Sequence, residues 1–284
     1  MTRHPVHHES RGQSQPEAPT GNKKKPRHTV PLGRRIGLGL AFAAWTVAAF
    51  VFAQLFIVAV MWGMLQLNIS LPVALNDTVV QTSVSVIVYI VTIALAVYAP
   101  WRLLGQKLTW EDVGLGQSLP RWRDIGLAPV MLVFSLIATG IVMYVANLLL
   151  PAVDLETQQQ IGFENLTQRY EMLLAFFTLV VLAPICEEFL FRGYLYGRVR
   201  KYYNAFWAIA LTSVVFGLMH IYAGPGLPLQ WNVMIGTTVL AVFIAILREY
   251  TGSIWAGILV HMLKNGIAFF VLFIAPLLGM TLIP

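Results

Sequence analysis

Long apolar stretches separated by short polar ones dominate the chain from residue 36 onward. A helix needs about 20 mostly apolar residues to cross a bilayer. Seven stretches approach or exceed that length: roughly 36–67, 79–100, 125–150, 172–195, 205–222, 231–247 and 253–280. The first is longer than a bilayer is thick and must tilt or protrude. The last is long enough to break near Pro276, which would raise the count to eight. No internal repeat is visible. The pattern predicts an all-α, polytopic transmembrane helical bundle of seven or eight spans. Residues 1–35 are expected to form a disordered basic tail, 36–164 the first spans, and 165–284 the remaining spans.

Composition agrees with a membrane-embedded chain. The 284 residues are 57% hydrophobic and 11% charged, against about 25% charged in a soluble domain. The net charge of +6 does not point to nucleic acid, because the bases cluster in the tail (Lys23, Lys24, Lys25, Arg27, Arg34, Arg35) and in short loops. Cytoplasmic segments are where lysine and arginine collect. Arg102, Lys107, Arg121 and Arg123 follow the second stretch, Arg198, Arg200 and Lys201 the fourth, and Arg248 the sixth. Alternating spans put all of these on one side. The other side receives Asp77 and a 151–171 segment with Asp154, Glu156, Glu164 and Glu171 against one base, Arg169. The expected arrangement is a multi-pass plasma (inner) membrane protein with a cytoplasmic amino terminus. His4, His7 and His8 in the tail read as solvated residues rather than a metal site. The apolar stretch after Arg35 is too long for a signal-peptide core and reads as an anchor. A single cysteine, Cys186, excludes an intrachain disulfide framework. Leu108–Leu115 reads as an interfacial turn or short helix, its Trp110 suited to the headgroup level.

Against this background two adjacent glutamates stand out, in Ala183-Pro184-Ile185-Cys186-Glu187-Glu188-Phe189-Leu190-Phe191-Arg192. An ionised group inside a bilayer is costly and marks a functional site by default when partners can be named. On a helix the two acids point about 100° apart. Glu188 and Arg192 stand four apart with the acid first, the better orientation for an ion pair, so Glu188 is assigned to Arg192. Glu187 is left facing the interior, where burial can tune a carboxylate for general-base work. The fifth stretch ends at His220, and the seventh carries His261 and Asn265, four apart and so on one face. Both are N–H donors, as an oxyanion requires. Each signal has a plain alternative: ion pairing alone for the acids, an interfacial hydrogen bond for His220, and interhelical bonding for His261 and Asn265.

Taken in order, Glu187-Glu188…Arg192, Phe216…His220 and His261…Asn265 resemble the motifs of the CAAX-protease and bacteriocin-processing (CPBP, or Abi) family, over about 165–275. That resemblance implies an intramembrane endopeptidase with 165–284 as its catalytic core and a membrane-associated peptide or protein as substrate. By the same resemblance, Glu187 activates a water with help from His220, His261 and Asn265 hold the oxyanion, and Arg192 fixes the glutamate pair and helps seat a peptide carboxylate. No cofactor is expected. The runner-up chemistry is a zinc site of Glu187, His220 and His261, although no His-Glu-x-x-His spacing is present. A Cys186–His mechanism is discounted, since a small buried cysteine usually serves packing. Two other classes stay open: an ion-coupled transporter using the same groups as a proton relay, and a non-catalytic scaffold or immunity protein. Depth is the difficulty. Glu187 falls in the middle or inner half of its span and His261 in the inner half of its own, but His220 falls near the outer end of a span starting at 205. Convergence requires a fifth helix that starts deeper, or strong tilts, around a water-filled cavity opening toward the cytoplasm.

Overall fold

The computed structural model describes residues 1, 31–69, 77–105, 107–155, 163, 166–221 and 229–280, and these are all-helical or irregular, with no strand among them. His4, His7, His8, Glu156, Glu164 and nearly all of the basic tail lie outside the described residues. The helices are α1 (Leu32–Gln66), α2 (Asp77–Leu104), α3 (Trp122–Leu149), α4 (Arg169–Arg200), α5 (Ala205–Leu218), α6 (Trp231–Thr251) and α7 (Trp255–Ile274). A single 3₁₀ turn, Pro276–Leu278, follows α7. Six of the seven are long and apolar enough to cross a membrane.

The fifth differs from expectation. It has 14 residues, about 21 Å at 1.5 Å per residue, against a hydrocarbon core of about 30 Å. Asn204 starts it, its side chain accepting a hydrogen bond from the Trp207 N–H at 3.0 Å, the usual office of an N-cap asparagine. It stops after Leu218, two residues before His220.

Small residues let the backbones approach, as membrane helices require when lipid competes for apolar surface. The buried stripe of α1 contains Phe42, Ala43, Thr46, Ala49 and Ala53, while Leu40, Phe52, Leu55 and Trp62 remain exposed on its outside. One core cluster joins α1, α4 and α5 through Phe42, Phe191, Tyr194 and Phe216. A second joins α3, α6 and α7 through Leu132, Ile244 and Val260. At Gly217 the α5–α6 contact is so close that a Cβ would lie 1.8 Å from Thr238 Oγ1.

The basic loops meet on one face. Lys201 pairs with Asp112 at 3.0 Å and Arg200 with Glu249 at 2.9 Å. Arg123 donates to Thr251 O, and Arg35 to Tyr202 O. The 108–118 segment is a turn rather than a helix and lies over the α6–α7 connection. Ile254 N–H donates to Gly114 O and Trp255 Nε1–H to Gln117 O, leaving Ser253 and Ile254 buried beneath it.

Candidate active site

The central helix is not a regular α-helix. Phe177–Leu182 and Phe189–Leu195 are wound as π-helix on either side of the glutamates, a rare form that recurs at functional sites. Pro184 has a local consequence. The Ala183 N–H already donates to Thr178 O, in the i→i+5 register. The donor to Leu179 O in that register would be residue 184, and proline has no N–H. A buried carbonyl needs a partner, and Asn265 supplies it: its Nδ2 donates to Leu179 O at 2.9 Å. One amide hydrogen of Asn265 is thus committed to the backbone of α4.

Glu188 is fully buried. Its Oε1 accepts from Arg192 Nη1 at 2.9 Å and faces His261 Nδ1 at 3.1 Å. The Arg192 guanidinium is also buried, and its Cζ lies 4.2 Å from the centre of the Phe216 ring, a cation–π arrangement. Phe216 is a shared wall, 4.5 Å from the His220 ring and 5.9 Å from that of His261. Gly257 makes room for Glu188: a Cβ there would stand 3.2 Å from Oε2 and 2.6 Å from Ile244 Cγ2.

Glu187 turns the other way, as a 100° step dictates. Its Oε1 accepts from the Tyr89 hydroxyl at 2.6 Å. Its Oε2 lies 3.7 Å from His220 Nε2 and 3.9 Å from His261 Nε2. Both separations exceed a direct hydrogen bond. Oε2 is buried with no hydrogen-bond partner among the described residues. His220 Nδ1 lies 2.8 Å from Phe216 O, so Nδ1 carries the proton and Nε2 is the acceptor in the neutral ring. By the same reasoning the Nδ1–H of His261 faces the Glu188 carboxylate. Two imidazole edges and one carboxylate oxygen therefore face a common point.

The depths reconcile because α4 runs to Arg200, beyond the expected end at 195. At 1.5 Å per residue, Glu187 then lies about 20 Å from Arg200, and His220, just past the end of the antiparallel α5, about 24 Å from Asn204. α7 starts from the recessed turn under the 108–118 segment, which carries His261 inward. Glu187, His220 and His261 come together, Glu188 and Arg192 stand behind them, and Asn265 is tied to Leu179.

Residues 169–267 match the family model of the type II CAAX prenyl endopeptidase Rce1-like proteins. Over this stretch the chain is similar to the CAAX prenyl endopeptidases. No curated protein and no solved structure matches the chain.

Two residues near the centre of this matched segment escaped the sequence reading. Tyr89 comes from α2, 98 positions before Glu187, and a tyrosine in an apolar run carries no signal of such a partner. Lys264, half-buried on α7, lies close enough to interact electrostatically with Glu187 and His220. Its signal was present, since it is an ionisable residue within an apolar span. The centre thus gathers two acidic side chains, Glu187 and Glu188, and two basic ones, Arg192 and Lys264. Among the described residues, no three His, Cys, Asp or Glu side chains are grouped closely enough to hold a metal ion. A cavity of about 800 Å³ lined by Ile93, Trp110, Ile185, Cys186, Phe189 and Ile258 lies on the side of the 108–118 segment.

Proposed function

We propose that the protein is an intramembrane endopeptidase that hydrolyses a peptide bond in membrane-associated substrates, lipidated or bearing a CAAX-like carboxyl end. The observation that carries this reading is the meeting of Glu187 Oε2 with two imidazole Nε2 atoms inside a CAAX protease segment. Glu187 Oε2 and His220 Nε2, 3.7 Å apart, are both acceptors and are suited to bind the two hydrogens of one water. Glu187 takes a proton as the water oxygen attacks the scissile carbonyl carbon, and passes it to the departing amine as the C–N bond breaks. Tyr89 fixes the rotation of the carboxylate so that Oε2, not Oε1, faces the imidazoles.

The oxyanion falls to His261 and to the second N–H of Asn265. His261 serves as a donor through Nε2 once protonated, and the Glu188 carboxylate behind its Nδ1 stabilises that imidazolium. Arg192 in turn neutralises Glu188. The basic loops are assigned to the cytoplasmic face of a plasma membrane, and the peptide enters from that side.

The test is cleavage of a membrane-anchored peptide by purified, reconstituted protein. Glu187→Gln keeps the shape and removes the base, so turnover should fall by about 100- to 10,000-fold. Full activity in that variant refutes the assignment. Exhaustive chelation should leave the native enzyme active; loss of activity on chelation with recovery on zinc would replace the water-only mechanism by the zinc variant at Glu187, His220 and His261.

A further inference from the structure

Tyr89, whose hydroxyl donates to Glu187, also lines a cavity. This second cavity, of about 350 Å³, lies between α1 and α2, walled by Phe50, Gln54, Gln81, Ser85, Tyr89 and Phe163. Gln81, Ser85 and Tyr89 are spaced by four, which places them on one face of α2. They run from the turn after Asp77 to the hydroxyl that touches Glu187. Ser85 lies about 12 Å and Tyr89 about 18 Å from Asp77 along the helix at 1.5 Å per residue. Gln81 Oε1 is buried without a hydrogen-bond partner among the described residues, and Gln54 is exposed on α1. Lipid cannot satisfy amides in this position. The volume suits about twelve waters at about 30 Å³ each. Asp77 at the start of α2 and residues 151–155 after the end of α3 mark the membrane face opposite the basic loops.

We propose that this cleft is a water route, delivering the hydrolytic water to Tyr89 and Glu187 from the face opposite the basic loops. The proposal rests on the hydrolase reading above. Each peptide bond cleaved consumes one water, and a peptide seated on the 108–118 side covers Glu187 from that direction. A separate supply lets water arrive while the substrate is bound.

Accessibility reads the route without turnover. Cys186 is the only native cysteine, so Ser85→Cys is placed in a Cys186→Ala protein in sealed vesicles and exposed to a charged, impermeant methanethiosulfonate from either side. Asp77→Cys and Lys107→Cys report the two faces. Ser85→Cys should react only from the face at which Asp77→Cys reacts. Should Ser85→Cys not fold, Gln81→Cys gives the same readout. No reaction, or reaction only from the Lys107 face, overturns the route. Gln81→Leu should lower kcat about tenfold, with KM unchanged, and slow the Ser85→Cys reaction. A raised KM with unchanged kcat would show that the cleft seats peptide instead, and would overturn the proposal. If Glu187→Gln stays active while Ser85→Cys labels as expected, the hydrolase assignment fails and the polar route stands.

Discussion

Tyr89 offers the sharpest test of the site because a single oxygen atom can be removed from it. In Tyr89→Phe the ring stays, so the packing of α2 against α4 is kept. What goes is a 2.6 Å hydrogen bond to Glu187 Oε1. A bond to a charged partner contributes about 1.5–3 kcal/mol, and every 1.36 kcal/mol lost from transition-state stabilisation costs about tenfold in rate. The hydroxyl touches Glu187 rather than the substrate. The loss should therefore fall on kcat, by about 10- to 100-fold, with KM within about twofold. Initial rates of reconstituted protein over a range of membrane-anchored peptide concentrations separate the two parameters. In a Glu187→Gln background the same change should add little, because residues that act through one another are not additive. An unchanged kcat, a rise in KM alone, or full additivity with Glu187→Gln would refute the positioning role.

Three further outcomes follow from the geometry. Gly257→Ala puts a Cβ 2.6 Å from Ile244 Cγ2 and 3.2 Å from Glu188 Oε2; overpacking of this kind costs about 1–3 kcal/mol, so thermal unfolding should shift down and turnover should fall at temperatures where the protein is still folded. Unchanged turnover would mean that Glu188 tolerates displacement. Asn265→Ala removes a donor from Leu179 O and, in the proposed mechanism, a donor to the oxyanion, and should lower kcat by about 100-fold or more; a loss of thermal stability with kcat intact would confine Asn265 to its backbone bond. Outside the membrane, partial burial works against ionisation of Asp112, but the Lys201 hydrogen bond, the Thr109 N–H and the charges of Lys201 and Arg198 outweigh it and hold the carboxyl below its ordinary value of 3.8. A depressed folded-state pKa gives stability that is present above 3.8 and lost as pH falls through the lowered value. Asp112→Asn should cost no more than about 1 kcal/mol at neutral pH, and the difference in unfolding midpoint should vanish under strong acid; a gap that persists there would refute the linkage.

The spans were legible because apolar run length is a direct consequence of bilayer thickness, and the basic loops because their charges must stay out of hydrocarbon. The fifth helix was misjudged for a related reason. Met219 and Ile221 continue its apolar run on either side of His220, so hydropathy does not mark where the backbone stops being helical. A helix end is set by backbone geometry, and Gly224-Pro225-Gly226 just beyond was the available warning. The Glu188–Arg192 pair was legible because both partners lie on one helix at a spacing that fixes their contact. Tyr89–Glu187 was not, because a contact between α2 and α4 depends on how two helices rotate about their axes, which no local pattern records.

Asn265 shows how far a local rule reaches once the backbone is known. Its four-residue spacing from His261 placed both on one face, and that face was assigned to a single oxygen. The structure gives one of its amide hydrogens to Leu179 O, for a reason written at Pro184: a residue without an N–H leaves a carbonyl unserved in a π-wound stretch. The proline thus fixes where the amide sits, and the amide in turn pins α7 against α4 four residues from His261. The same pin that satisfies a backbone group also helps fix the rotation of α7, and with it the direction of the imidazole that faces both glutamates.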